Sequence, residues 1–195
     1  MTNTTWREAK AIHFLGIGGI GLSALARMFL AEGRAVSGSD LVASEITEAL
    51  KRQGAKITIG QSFATVPLDA DLIIYSAALE VAEPAFLNEV KGLGIPIFSY
   101  AEMLGQVSHD QYTIAVAGTH GKTTTTAMLA TIMLDADLAP TVIVGSLLLD
   151  QQSNFVAGNS QYLLVEADEY RRSFLNLWPR LLVITNLDLD HLDYY

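Results

Sequence analysis

Lys122 and its neighbours are the first residues in this sequence that could do chemistry. Tyr112-Thr113-Ile114-Ala115-Val116-Ala117 is an apolar, β-branched run. Gly118-Thr119-His120-Gly121 turns over two glycines, and Lys122-Thr123-Thr124 opens a stretch with helical spacing that continues through Leu134. A strand, a glycine turn, a lysine–hydroxyl pair and a helix together suit a polyphosphate. The backbone N–H groups of the turn and the helix start offer partial positive charge, the lysine adds a full one, and a hydroxyl, for which Thr123 is best placed, ligates Mg²⁺. The general pattern G-x-x-x-x-G-K-[ST] wants glycine at position 116, where this chain has Val116, so the loop is a shortened form.

A second glycine turn lies near the start. Gly16-Ile17-Gly18-Gly19-Ile20-Gly21 sits between the buried-strand pattern Ala11–Leu15 and an apolar helix pattern from Leu22 to about Ala31, closed by Gly33. In that setting G-x-G-x-x-G lets the backbone approach a diphosphate, although the glycines also serve tight helix–strand packing. A second strand, Ala35–Ser39, ends at Asp40, roughly 20 residues on, where an acid commonly accepts hydrogen bonds from ribose hydroxyls. The motif alone does not separate NAD from another diphosphate-linked nucleotide. Ser76, directly behind the strand pattern Asp71–Tyr75, is either a hydroxyl contact in the ligand crevice or an ordinary turn serine.

Acids cluster in the second half. Tyr162-Leu163-Leu164-Val165 runs into Glu166-Ala167-Asp168-Glu169, the pattern of a buried strand that carries an Mg²⁺-directed carboxylate. Glu166 and Asp168 share a face if the strand persists that far, and Glu169 reads as a solvated acid. Leu181–Asn186 is a further buried strand, followed by Asp188, Asp190, His191 and Asp193. Imidazole is not the usual Mg²⁺ ligand, so spacing leaves His191 either a ligand or part of an Asp-rich helix cap. His120 lies inside the phosphate loop, His13 on a core strand and His109 in a solvated linker.

These groups need elements to hold them, and the chain alternates strand and helix patterns throughout. Ser44 caps a helix running to Gly54. Lys56–Ile59 is a short strand, Pro84 opens a helix ending near Gly92 or Gly94, and Ile95–Phe98 is an edge strand because Pro96 lacks a donor. A helix from about Tyr100 to Val107 ends at the polar break Ser108-His109-Asp110-Gln111. Later come a strand at Thr141–Gly145 and a polar stretch from Asp150 to Ser160. The expected architecture is α/β: a Rossmann-like parallel-sheet domain over 1–108, then a partial phosphate-loop α/β domain over 109–195.

Composition bounds the function. The 195 residues are half hydrophobic, which excludes a disordered chain, and 21 acids against 12 Lys and Arg give a net charge of −9, which argues against a nucleic-acid partner. With no cysteine there is neither a disulfide nor a thiolate metal site. Met1–Glu8 lacks the apolar core of a signal peptide, and no apolar run approaches the roughly 20 residues of a membrane span. A soluble cytoplasmic protein is expected.

Taken together, these motifs resemble the Mur ligase family. The resemblance is carried by Gly16–Gly21, Ser37-Gly38-Ser39-Asp40, Ser76-Ala77-Ala78, Gly94–Ile97 with Ala101–Leu104, Gly118–Thr125, Glu166–Glu169 and Thr185–Asp193. The family uses the shorter Gly-Thr-His-Gly-Lys-Thr loop, which accounts for Val116. The resemblance implies that the first domain binds the UDP of a UDP-sugar, with contacts from Gly18, Gly19, Ile20, Gly21, Ser39, Asp40, Ser76 and Ala77. It implies ATP on Gly118, Thr119, His120, Gly121, Lys122, Thr123 and Thr124, and Mg²⁺ on Thr123, Glu166 and His191. Lys122, His120, Glu166 and His191 then form the catalytic set.

The implied reaction joins L-alanine to UDP-N-acetylmuramate through an acyl phosphate. A tripeptide-recycling ligase, a NAD-dependent oxidoreductase and a binding-only nucleotide module are the alternatives. Tyr170-Arg171-Arg172 stands where the family has a further acid. The family also continues well beyond the Asp-His-Leu-Asp motif, so the chain is expected to be an N-terminal fragment that does not turn over alone.

Overall fold

The computed structural model describes residues 6–148 and 153–188, which divide into two compact units, Met1–Tyr100 and Ala101–Tyr195. The first unit runs β1 (Ala11–Leu15), α1 (Ile20–Ala31), β2 (Ala35–Asp40), α2 (Glu45–Arg52), β3 (Lys56–Ile59), β4 (Leu72–Tyr75), α3 (Leu79–Ala82), α4 (Pro84–Lys91) and β5 (Ile97–Ser99). The strands form one parallel sheet in the order β3-β2-β1-β4-β5, with β5 at an edge as Pro96 implied. Burial explains the order. Ile12, Phe14 and Leu15 of β1 and Leu72, Ile73 and Ile74 of β4 are wholly buried, the mark of central parallel strands covered on both faces. Phe29 of α1 packs on Phe14 with ring centroids 6.3 Å apart.

Local signals set the ends of these elements. Ser44 caps α2 reciprocally: its Oγ accepts the Thr47 N–H at 3.3 Å, and Thr47 Oγ1 accepts the Ser44 N–H at 2.9 Å. The first helix starts at Ile20 rather than Leu22, because Gly19 is already an extended N-cap. Strand order reverses beside β1, so the carboxyl ends of β1, β2 and β4 meet at one crevice.

The second unit contains α5 (Tyr100–Asp110, from Ala101 onward), β6 (Tyr112–Ala117), α6 (Lys122–Asp135), β7 (Thr141–Leu148), β8 (Ser153–Val156), β9 (Tyr162–Glu166) and β10 (Leu181–Ile184). Its sheet has the order β10-β6-β9-β7-β8, parallel except for β8, which pairs antiparallel with β7. Val116, Val142, Val144 and Leu164 pack against Ala130 and Met133 of α6 to form its core.

Two expectations fail here for the same reason. The polar break at Ser108–Gln111 is instead the end of α5. Ser108 is wholly buried: its Oγ donates to Gly105 O at 2.8 Å and accepts the Trp178 N–H at 3.0 Å, while its carbonyl accepts Thr113 Oγ1 at 2.7 Å. The stretch from Asp150 to Ser160 contains β8, whose Asn154 is buried and whose Val156 packs on the core. In both places polar residues are buried, Ser108 with the distant Trp178 as one partner, which a local reading scores as loop. Among the described residues no helix is long and apolar enough to cross a membrane.

Candidate functional site

In the first unit the turn after β1 is tied to the end of β2. The Ser39 carbonyl accepts the N–H groups of Gly16 and Ile17 at 2.8 and 3.1 Å, and Asp40 Oδ2 accepts the Gly18 N–H at 2.7 Å. Asp40 Oδ1 accepts the Val42 N–H at 3.3 Å, so this carboxylate braces the turn that it was expected to complement. Ser39 is wholly buried, its Oγ has no hydrogen-bond partner among the described residues, and it holds the turn through its carbonyl. Ser76 and Ala77 follow β4 beside the same turn. The Ser76 N–H donates to Leu15 O at 3.0 Å, and its Cβ lies 3.1 Å from where a Cβ on Gly16 would stand. The structure thus gathers Gly16–Gly21, Asp40, Ser76 and Ala77 at the strand ends where α1 begins.

In the second unit β6 runs into the loop 118–121 and then α6. Gly118 has a φ of +134°, and a Cβ there would collide with Thr185 Oγ1 and stand 3.0 Å from Asn186 O. Only glycine lets the loop lie this close to the segment after β10. That segment grips the loop at several points. Asn186 Oδ1 accepts the His120 N–H at 3.0 Å, and Asn186 Nδ2 donates to His120 O at 2.9 Å. Thr185 Oγ1 donates to His120 O at 2.6 Å, the Asn186 carbonyl accepts the Thr119 N–H at 3.3 Å, and Thr119 Oγ1 accepts the Asp188 N–H at 2.9 Å. The N–H groups of Thr119 and His120 are therefore spent within the protein. Those of Gly121, Lys122, Thr123 and Thr124 find no acceptor among the described residues, and they sit at the start of a 14-residue helix. Four free donors at a helix N-terminus make an anion site. A cavity of about 300 Å³ lined by Thr119 through Thr124 and Glu166 opens over them.

Two acids meet this loop. Thr123 Oγ1 donates to Glu166 Oε1 at 2.9 Å, and Glu166 Oε2 accepts the Gly145 N–H at 2.8 Å from the neighbouring strand β7. The carboxylate is thereby aimed at the hydroxyl, and the two oxygens form the hard donor set that suits Mg²⁺. Among the described residues no cluster of three His, Cys, Asp or Glu occurs. Glu169 is not the solvated acid expected. Its Oε1 lies 2.9 Å from Lys122 Nζ in a partly buried ion pair, and Lys122 Nζ also donates to the carbonyls of Gly118 at 2.7 Å and Thr119 at 3.2 Å. The strand β9 stops at Glu166, so Asp168 does not share its face and is exposed. His120 is exposed at the mouth of the loop, whereas His191 lies outside the described residues.

Comparison with known proteins fits both turns. The model of the Mur ligase family catalytic domain matches residues 11–112, and that of the Mur ligase middle domain matches residues 116–195. The chain belongs to the Mur ligase family. It is 48% identical over 187 residues to a UDP-N-acetylmuramate–L-alanine ligase of Clostridium kluyveri, covering 95% of this chain and 41% of that one. The crystal structure of UDP-N-acetylmuramate–alanine ligase from Thermotoga maritima superposes with a TM-score of 0.81 at 34% identity, over 95% of this chain and 43% of that one. A UDP-N-acetylmuramate:L-alanyl-gamma-D-glutamyl-meso-diaminopimelate ligase from Neisseria meningitides superposes with a TM-score of 0.82 at 31% identity, over 93% and 62%. The chain spans about two-fifths of the length of the curated relatives it matches.

Within this Mur ligase chain, sequence reasoning missed Glu169, Asn186 and the Gly145 N–H as partners of the loop. For Asn186 a signal was present: an amide directly after an apolar strand that lies beside the loop strand. Nothing in the sequence marked Glu169, because its partner belongs to a different element.

Proposed function

We propose that this chain supplies the two nucleotide-binding units of an ATP-dependent carboxylate–amine ligase that joins L-alanine to UDP-N-acetylmuramate. On this reading Met1–Tyr100 takes the UDP-sugar on the Gly16–Gly21 turn with Asp40, Ser76 and Ala77, and the second unit takes ATP. The observation that carries it is the group of four N–H donors without an acceptor among the described residues, Lys122 and the Thr123–Glu166 pair around one cavity. A NAD-dependent oxidoreductase would use none of these. The work is placed in the cytoplasm, where both nucleotides are available.

In the proposed reaction the lactyl carboxylate of the sugar attacks the γ-phosphorus of ATP and ADP departs, leaving an acyl phosphate. The amine of L-alanine then attacks the acyl carbon, inorganic phosphate leaves and the amine gives up a proton. This chain's part is placement and charge neutralisation. The N–H groups of Gly121–Thr124 and the Lys122 ammonium offset charge on the phosphoryl oxygens. Thr123 and Glu166, with His191, would hold Mg²⁺, which supplies further neutralisation when bound. His120 stands exposed at the mouth of the loop. The likeness to the Neisseria enzyme supports a second reading, in which a preformed tripeptide replaces L-alanine.

Calorimetric titration of the chain with UDP-N-acetylmuramate, Mg·ATP and NADH tests the proposal. Binding of the first two and not the third is expected. Lys122→Ala should weaken Mg·ATP by about 100-fold, the loss of a buried charge-assisted contact, with UDP-sugar affinity kept. NADH binding without UDP-sugar binding would overturn the assignment.

A further inference from the structure

We infer that Asn186 is the positioning residue of the phosphate loop. The inference rests on the reading of that loop as an ATP site. A polyphosphate needs some of the loop's N–H groups turned toward it and the others tied back, or the loop has no single shape. Here the division falls at one residue. His120 immediately precedes Gly121, the first of the free donors, and both backbone groups of His120 are taken by the side-chain amide of Asn186, at 3.0 and 2.9 Å. The Asn186 carbonyl takes the Thr119 N–H as well.

An amide is the side chain this job requires. It presents one acceptor and one donor at the spacing of a peptide group, and it places no negative charge beside the phosphates. Aspartate has the same shape and keeps the acceptor for the His120 N–H. It loses the donor, sets an oxygen against His120 O, and adds charge at the anion site. Alanine loses both bonds but adds no repulsion.

The ordering of these variants is the test. Mg·ATP affinity should fall about tenfold in Asn186→Ala and about 100-fold in Asn186→Asp, while UDP-N-acetylmuramate affinity stays within twofold of wild type. Amide hydrogen exchange at His120 should quicken at least tenfold in Asn186→Ala and stay near wild type in Asn186→Asp, which retains the acceptor. Unchanged Mg·ATP affinity in Asn186→Asp would overturn the inference. So would unchanged His120 exchange in Asn186→Ala, or a parallel loss of both ligands, which marks a general structural role. Lys122→Ala, run alongside, separates the two failures. If that variant binds Mg·ATP as well as wild type, the ATP reading fails, and the His120 exchange still decides the role of Asn186.

Discussion

Glu166, the acid proposed to face Mg²⁺, is fixed by two hydrogen bonds from different elements. Its carboxylate is held from one side by a backbone N–H of β7 and from the other by the Thr123 hydroxyl, so a neutral replacement of equal size keeps the shape and removes the charge. Glu166→Gln is expected to leave ATP affinity in EDTA within twofold of wild type and to reduce the gain on adding Mg²⁺ at least tenfold, as read by titration with and without the ion. Gly118→Ala acts differently. It forces a side chain into a left-handed backbone against Thr185 and Asn186, so a fall in melting temperature and loss of Mg·ATP binding together are expected. The place of Glu166 at the end of β9 was legible in the sequence, because an acid directly behind four apolar residues marks a buried strand's end. Glu169 was not, since its meaning comes from Lys122 on another element, and local context made it a surface acid.

At the scale of the element, β1 is a core strand with a titratable group inside it. His13 is 2% exposed, its Nδ1 lies 2.9 Å from Ser37 Oγ, and its Nε2 is buried without a partner among the described residues. Burial pushes its pKa down to about 4 from the ordinary 6.5. The unfolded chain takes up this proton below pH 6.5, and the folded chain refuses it until near pH 4. Stability from a neutral, buried His13 is therefore fully present above pH 6.5 and drains away as the pH falls toward 4. The slope is about 1.4 kcal/mol per pH unit, roughly 3 kcal/mol in all. Urea midpoints measured between pH 7 and 4.5 should show the loss, and His13→Gln should remove this part of the slope. The position of His13 in the core was readable from its apolar neighbours. The continuation of α5 through Ser108 and the strand β8 were not: Ser108 is held in part by Trp178, 70 residues on, and β8 by its pairing with β7, and neither partner shows in the local pattern.

Across the whole molecule, each glycine turn belongs to a unit with its own sheet and its own core, and the braces of each turn come from within that unit. Asp40 braces Gly18 at 2.7 Å, and Lys122 sits under the other turn with Glu169 at 2.9 Å. Among the described residues Asp40 and Lys122 share no hydrogen-bonding partner, a condition under which the effects of two substitutions add. Asp40→Ala removes the brace and the proposed ribose acceptor together, so UDP-N-acetylmuramate affinity should fall at least tenfold while Mg·ATP affinity stays within twofold. Lys122→Ala should do the converse. The double variant should lose each ligand by the amount of its own single change, within about 0.5 kcal/mol. A fall in Mg·ATP affinity from Asp40→Ala alone would mean that the two turns do not serve separate ligands.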